Sequence, residues 1–161
     1  MAIVEIKHKD SGKVLITVEA ESDVLLRGVI FHGAALAGAD LRNKDLYQTD
    51  LHGANLEGAD LSGACLTLAD MRGTNCSGAN MTGVDLTFAN MFRTDLPDAD
   101  LTDADLSGAV LIDPDLSRTI LTNAILALTI FEGCLSLHNA IGLDRIRHRG
   151  TASLDHLVLT R

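Results

Sequence analysis

The run Gly53-Ala54-Asn55-Leu56-Glu57-Gly58-Ala59-Asp60-Leu61-Ser62-Gly63-Ala64-Cys65-Leu66-Thr67 decides the fold, because it states one five-residue unit three times over. A large apolar residue stands at every fifth position, a small residue two places before it, and a polar residue usually between them. Outward from this stretch the large positions continue without a gap: Leu26, Phe31, Leu36, Leu41, Leu46, Leu51, Leu56, Leu61, Leu66, Met71, Cys76, Met81, Leu86, Met91, Leu96, Leu101, Leu106, Leu111, Leu116, Leu121, Leu126 and Phe131. The small position is Ala twelve times, Thr five and Val three, with Lys44 and Pro114 as the exceptions. The position between is Asp ten times and Asn four.

A period of five rules out both ordinary elements. Five helical residues advance by about 500°, a net 140° or so, which scatters the leucines around the cylinder. In a strand an odd step turns each successive side chain to the opposite face. A core built from every fifth residue needs a backbone that turns a corner once per unit. A fixed short repeat is the mark of a solenoid, in which each unit buries itself only against its neighbours.

Ala39-Asp40-Leu41, Ala54-Asn55-Leu56, Ala59-Asp60-Leu61, Ala99-Asp100-Leu101 and Ala104-Asp105-Leu106 resemble the signature of pentapeptide-repeat proteins. The resemblance holds register from residue 24 to 133, about two thirds of the chain. It implies an all-β solenoid, a right-handed quadrilateral β-helix with four units per coil and one on each side. On that reading the large and small positions point inward, and coils stack about 4.8 Å apart. Leu36, Leu56, Cys76, Leu96 and Leu116 then form one internal ladder.

The flanks read as caps on a single domain of 161 residues. Residues 1–23 alternate around Lys9-Asp10-Ser11-Gly12, as a β-hairpin does, with Ile3 or Val4, Ile6, Val14 and Ile16 on its apolar side. A first coil left bare would expose its leucines and unpaired strand edges, so this hairpin is expected as an N-terminal cap. Residues 134–161 lose the register, since Ser136 falls where a leucine belongs. Leu137 to Ile146 suggests a short amphipathic helix interrupted by Gly142, and Ser153 to Thr160 one more strand, together a C-terminal cap.

Charge and composition narrow the function. Residues 24–133 carry fifteen acids against six bases, a net charge of −9 equal to that of the whole chain, which disfavours binding to nucleic acid phosphates. The longest mainly apolar run, Ala124 to Phe131, is too short to span a bilayer. The residues after Met1 do not read as a secretory leader. Three cysteines are an odd number, with Cys76 at a core position, and this points to a reduced, cytoplasmic protein.

No catalytic constellation stands out, and no cofactor is expected. His32 and His52 stack one coil apart, but the next residue in that column is Arg72, which makes a poor metal site. Asp recurring on every side is what the unit itself prefers. Lys44, a cation at a small position, is expected to run its stem along the coil and reach water. A dense acidic belt does stand out: Asp95, Asp98, Asp100, Asp103, Asp105, Asp113 and Asp115. So does a set of apolar residues at outward positions: Leu68, Phe88, Phe92, Val110, Ile112, Leu128 and Ile130. A contiguous set of that kind marks an interface, either with the chain's own tail or with a second copy. The resulting expectation is a non-catalytic rigid interaction protein whose partner is another protein. Some relatives in the resembled family act on DNA gyrase by imitating DNA, so the belt implies gyrase-directed mimicry as the runner-up. A small metal-dependent hydrolase stands third.

Overall fold

Each unit satisfies its own backbone, and this explains both the fold and the signature. In the unit of Leu56, the Leu56 N–H donates to Asn75 O of the next coil (2.7 Å), and the Asn55 N–H to Ala34 O of the previous one (2.9 Å). The Gly58 N–H reaches Ser77 O (2.9 Å), and the Ala59 N–H closes the corner on Leu56 O (2.9 Å). The fifth donor, the Glu57 N–H, goes to the side chain of Asn55 (3.0 Å to Oδ1). No N–H of the unit is left over, as a tightly packed backbone requires. Thirteen of the fourteen Asp and Asn at this position accept from the N–H two residues on. The exception is Asp95, whose would-be donor is Pro97 and has no N–H. The repeating acid is therefore a turn-forming device.

The computed structural model describes residues 1–147. Rungs pair in parallel with those twenty residues ahead, as Leu25 with Asp45, Ile30 with Asp50, Ala35 with Asn55 and Asp40 with Asp60. Four such ladders climb the molecule, so four units make one coil of a repeat β-helix. The large positions are buried from Leu26 to Leu126. Phe131, expected inside with the rest, is only partly buried. It closes its ladder, and among the described residues no further unit stacks on it. Buried Thr74, Thr94 and Thr119 donate their hydroxyls to Leu51 O, Met71 O and Leu96 O of the coil before (2.7–2.9 Å), which makes Thr acceptable at an apolar position.

The hairpin pairs β1 (Ala2–Lys7) with β2 (Val14–Ala20) in antiparallel fashion. It docks edge-on, with the Asp40 N–H donating to Lys7 O (2.7 Å) and the Lys9 N–H to Gly38 O (2.8 Å). Val4 and Ile6 are buried, and Leu15, Ile16 and Val18 pack partly on the core. Of the alternatives Ile3 and Val4, it is Val4 that faces in and Ile3 that is exposed, and Val14, expected on the apolar side, is exposed as well. The register that pairs Val4 with Val18 and Ile6 with Ile16 turns Ile3 outward, and the shift after Ile6 does the same for Val14.

At the other end β3 (Val110–Ile112) and β4 (Ile130–Glu132) form the one parallel pair long enough to be strands among the described residues. The helix expected over 137–146 is not there. The chain keeps winding, with short 3₁₀ turns at Leu137–Asn139 and Leu143–Arg145, and Ile141 and Arg147 bridge to Ile120 and Ile125. Ser136 cannot fill a leucine site, so the chain slips by one residue and buries Leu137 instead. The Ser136 hydroxyl accepts from the Leu116 N–H (2.6 Å). The strand expected at Ser153 to Thr160 lies outside the described residues.

Candidate protein interface

All twenty-two corners of the coil sit in the left-handed region, from φ 51° at Asp113 to φ 69° at Gly108. Half of them are glycine, for which this conformation carries little strain. A bulky apolar residue there is strained by roughly 1–2 kcal/mol. One corner column nevertheless reads Leu68 (φ 60°), Phe88 (φ 57°), Gly108 and Leu128 (φ 58°). Burial does not compensate, because Leu68, Phe88 and Leu128 are 44%, 58% and 79% exposed. Strained, exposed apolar side chains make this column the candidate binding surface.

The adjoining side continues the patch. Its first outward column ends in Val110 and exposed Ile130, and its second runs His32, His52, Arg72, Phe92, Ile112, Glu132. The Phe88 ring folds over Gly108, where any Cβ would collide with it. The Arg93 guanidinium lies 4.9 Å from the Phe92 ring centre, and Arg93 pairs loosely with Asp113 (3.8 Å). The seven interface residues expected from the sequence thus share one side and its corner. Gly108, Arg93 and Asp113 join them; the signal for Gly108 was its spacing of twenty from Phe88 and Leu128, and for Arg93 and Asp113 their place one residue after Phe92 and Ile112 and twenty from each other. Ile30, also exposed, is separated from Val110 along its column by Asp50, Asp70 and Asn90.

The acidic belt is a ring around the coil, not a line along it. Asp95 and Asp115 stack on one side, Asp100 lies on the next and Asp105 on a third. Asp98 is held bidentately by Arg118 (2.6 and 2.5 Å), which keeps its carboxyl below the usual range. Asp115 is lowered by the Ser117 hydroxyl and N–H. Asp113 lies on the corner between the apolar side and the side of Asp95 and Asp115, beside Arg93. Asp95 and Asp103 make no side-chain hydrogen bond or ion pair among the described residues.

The remaining candidates separate from the patch. His32 and His52 do stack, their rings 4.7 Å apart and edge-on. Among the described residues no three His, Cys, Asp or Glu side chains converge as a metal site. Lys44 is half-buried in a polar cleft of about 340 Å³ with Glu5, Lys7, Asp40, Arg42 and Asn43. There the Arg42 guanidinium, bonded to Asp40 at 2.8 and 2.7 Å, holds the Asp40 carboxyl below its usual range. Burial pushes the Cys76 thiol up to about 12 and the Cys134 thiol up to about 11. No helix among the described residues is long and apolar enough to cross a membrane.

A coil of stacked five-residue units, most of them closed by their own Asp or Asn, defines a repeat protein of the β-helix class. The chain belongs to the pentapeptide repeat family, whose sequence model matches it in eight copies over residues 30–67, 69–98 and 99–135. Among solved structures, it is similar to HetL, a pentapeptide repeat protein involved in heterocyst differentiation regulation in the cyanobacterium Nostoc. That likeness is 31% identity over 73% of this chain, with a TM-score of 0.37. The chain spans 61% of the length of HetL. A second pentapeptide repeat protein of Nostoc is 29% identical over 65% of this chain and 84% of its own, with a TM-score of 0.45. QnrB1, a plasmid-mediated fluoroquinolone resistance protein, is 18% identical over 78% of this chain and 82% of its own, with a TM-score of 0.43. No curated protein matches the chain. Family membership rests on the repeat signature, not on these superpositions.

Proposed function

We propose that the protein is a non-catalytic, rigid interaction rod of the cytoplasm. It is a right-handed four-sided coil closed by the hairpin at one end and the tail at the other, and it binds another protein through the apolar side and its corner. The observation that carries this reading is the corner column, where Leu68, Phe88 and Leu128 are held in a strained conformation and left in water. Comparative capture from a cytoplasmic extract tests it, with wild type set against the surface variant Leu128→Glu/Ile130→Glu after both show the same melting temperature. A partner, another copy included, held by wild type and lost by the variant supports the reading. Identical retention by both, or none by either, overturns it.

A second reading is gyrase-directed DNA mimicry. It is favoured by carboxylates on adjacent rungs, Asp95 over Asp115 and Asp85 over Asp105, at strand spacing on two sides of a straight rod. A supercoiling assay decides it. Inhibition or protection by wild type that is lost on changing Asp95, Asp98, Asp100 and Asp103 to Lys supports mimicry. Unaltered supercoiling at every concentration removes it.

A further inference from the structure

We propose that the apolar side joins two copies of this chain, packed antiparallel about a two-fold axis that crosses the coil midway between the rungs of Phe92 and Ile112. This rests on reading that side as an interface, and it names the occupant. The argument is one of register. Residues twenty apart stack as successive rungs, so each outward column reads as a short string. A two-fold perpendicular to the coil lays every column on its own reverse.

The corner column Leu68, Phe88, Gly108, Leu128 then sets Leu68 against the partner's Leu128. Each Phe88 ring already leans over Gly108 of its own chain, toward the axis, so the two rings meet there in the space two glycines leave. The middle column Arg72, Phe92, Ile112, Glu132 sets Phe92 against the partner's Ile112 and Arg72 against the partner's Glu132. On the far corner Arg93 meets the partner's Asp113. Because Arg93 and Asp113 lie 3.8 Å apart within one chain, two copies close a ring of four alternating charges.

Neighbouring registers fail on the same residues. Sliding by one rung places Arg93 on the partner's Arg93 in one direction and Asp113 on the partner's Asp113 in the other. A parallel pair, with the two-fold along the coil, sets Ile130 against the partner's Glu132 and leaves Leu68 and Leu128 facing bare glycine corners. The antiparallel register has two mismatches, Asn90 opposite the partner's Val110 and Asp70 opposite the partner's Ile130; the Asp70 carboxylate is already bonded to Arg72 Nε and Nη2 (2.8 and 2.6 Å), and the Asn90 Oδ1 already accepts from the Phe92 N–H. Four rungs by five residues make a footprint of roughly 19 by 16 Å. That is small for a stable complex, so self-association in the micromolar range or weaker is expected.

Sedimentation equilibrium and light scattering from about 1 µM to about 1 mM test the proposal, a span that covers interfaces of this size. The chains used are full-length wild type, Arg93→Glu and Asp113→Arg. Each variant alone sets like charges across both ends of the contact and is expected to self-associate about tenfold more weakly or worse. An equimolar mixture of the two variants restores opposite charges at both ends, and is expected to form a heterodimer with at least wild-type affinity. Within each chain the 93–113 pair is the same alone and in the mixture, so rescue reports the contact between chains. Phe92→Glu with Ile112→Glu is expected to be a folded monomer by circular dichroism and light scattering. A wild type that stays monomeric throughout the range, a dimer indifferent to these changes, or a mixture without rescue overturns the proposal. If wild type is monomeric while Leu128→Glu/Ile130→Glu still loses a partner from extract, only the dimer falls and the interaction rod stands.

Discussion

Replacing Leu56 by Ala measures how rigidly the coils are spaced. Leu56 is fully buried in the ladder between Leu36 and Cys76. Three carbons are removed, worth about 0.8 kcal/mol each on transfer from water, or about 2.4 kcal/mol in all. A cavity contribution is added, and its size depends on whether the neighbours can close in; buried Leu→Ala changes span about 2.7–5 kcal/mol for this reason. Here they cannot close in. The rungs on either side are tied by Leu36 N–H to Asn55 O (2.8 Å), Leu56 N–H to Asn75 O (2.7 Å) and Asn75 N–H to Ala54 O (3.0 Å). Collapse onto the hole would break that ladder, so the upper part of the range is expected, about 4 kcal/mol. For a chain of this size that lowers Tm by on the order of 10 °C. Urea unfolding gives the free energy, with Leu135→Ala, whose side chain is exposed, as the control expected to stay within about 0.5 kcal/mol. A loss below about 1 kcal/mol at Leu56 would refute a close-packed, non-collapsing interior. A shallower slope in the variant would show coils unfolding separately, as a one-dimensional repeat permits.

Two further outcomes are expected. Gly108→Ala brings a Cβ both into the left-handed corner and against the Phe88 ring, so it should destabilise by about 1–3 kcal/mol. Combining it with Phe88→Ala should recover the part due to the ring, and a Gly108→Ala protein as stable as wild type in urea would refute the packing described. Burial holds the Cys76 thiol well above neutral pH, so iodoacetamide at pH 8 should modify it only at the rate of global unfolding, read by mass spectrometry of the Cys76 peptide. Labelling of Cys76 in the native protein within minutes would show the core to be open.

The sequence by itself determined the coil, because period five has one structural solution when every fifth residue must be buried. It also determined which residues line the interior, and the placing of His32 over His52 and of Phe92 beside Ile112, since twenty residues make one coil. It did not reveal why Asp and Asn recur. That needed the fifth N–H of the unit, which in thirteen units the structure shows bonding to the Asp or Asn side chain two residues before. The ends were the least legible. One residue of slip at Ser136 costs little, and it turns an expected helix into another stretch of winding, while pairing register alone decides that Val4 faces in and Ile3 out. The pairing of charges was equally hidden, because a count of acids is blind to partners. The belt is a ring, Asp98 belongs to Arg118, and Asp113 lies beside Arg93 on a corner of the apolar side. Only the tertiary structure showed Leu68, Phe88 and Leu128 to be both strained and exposed. A side chain's dihedral and its contact with water depend on what stacks above and below it, and composition does not record that.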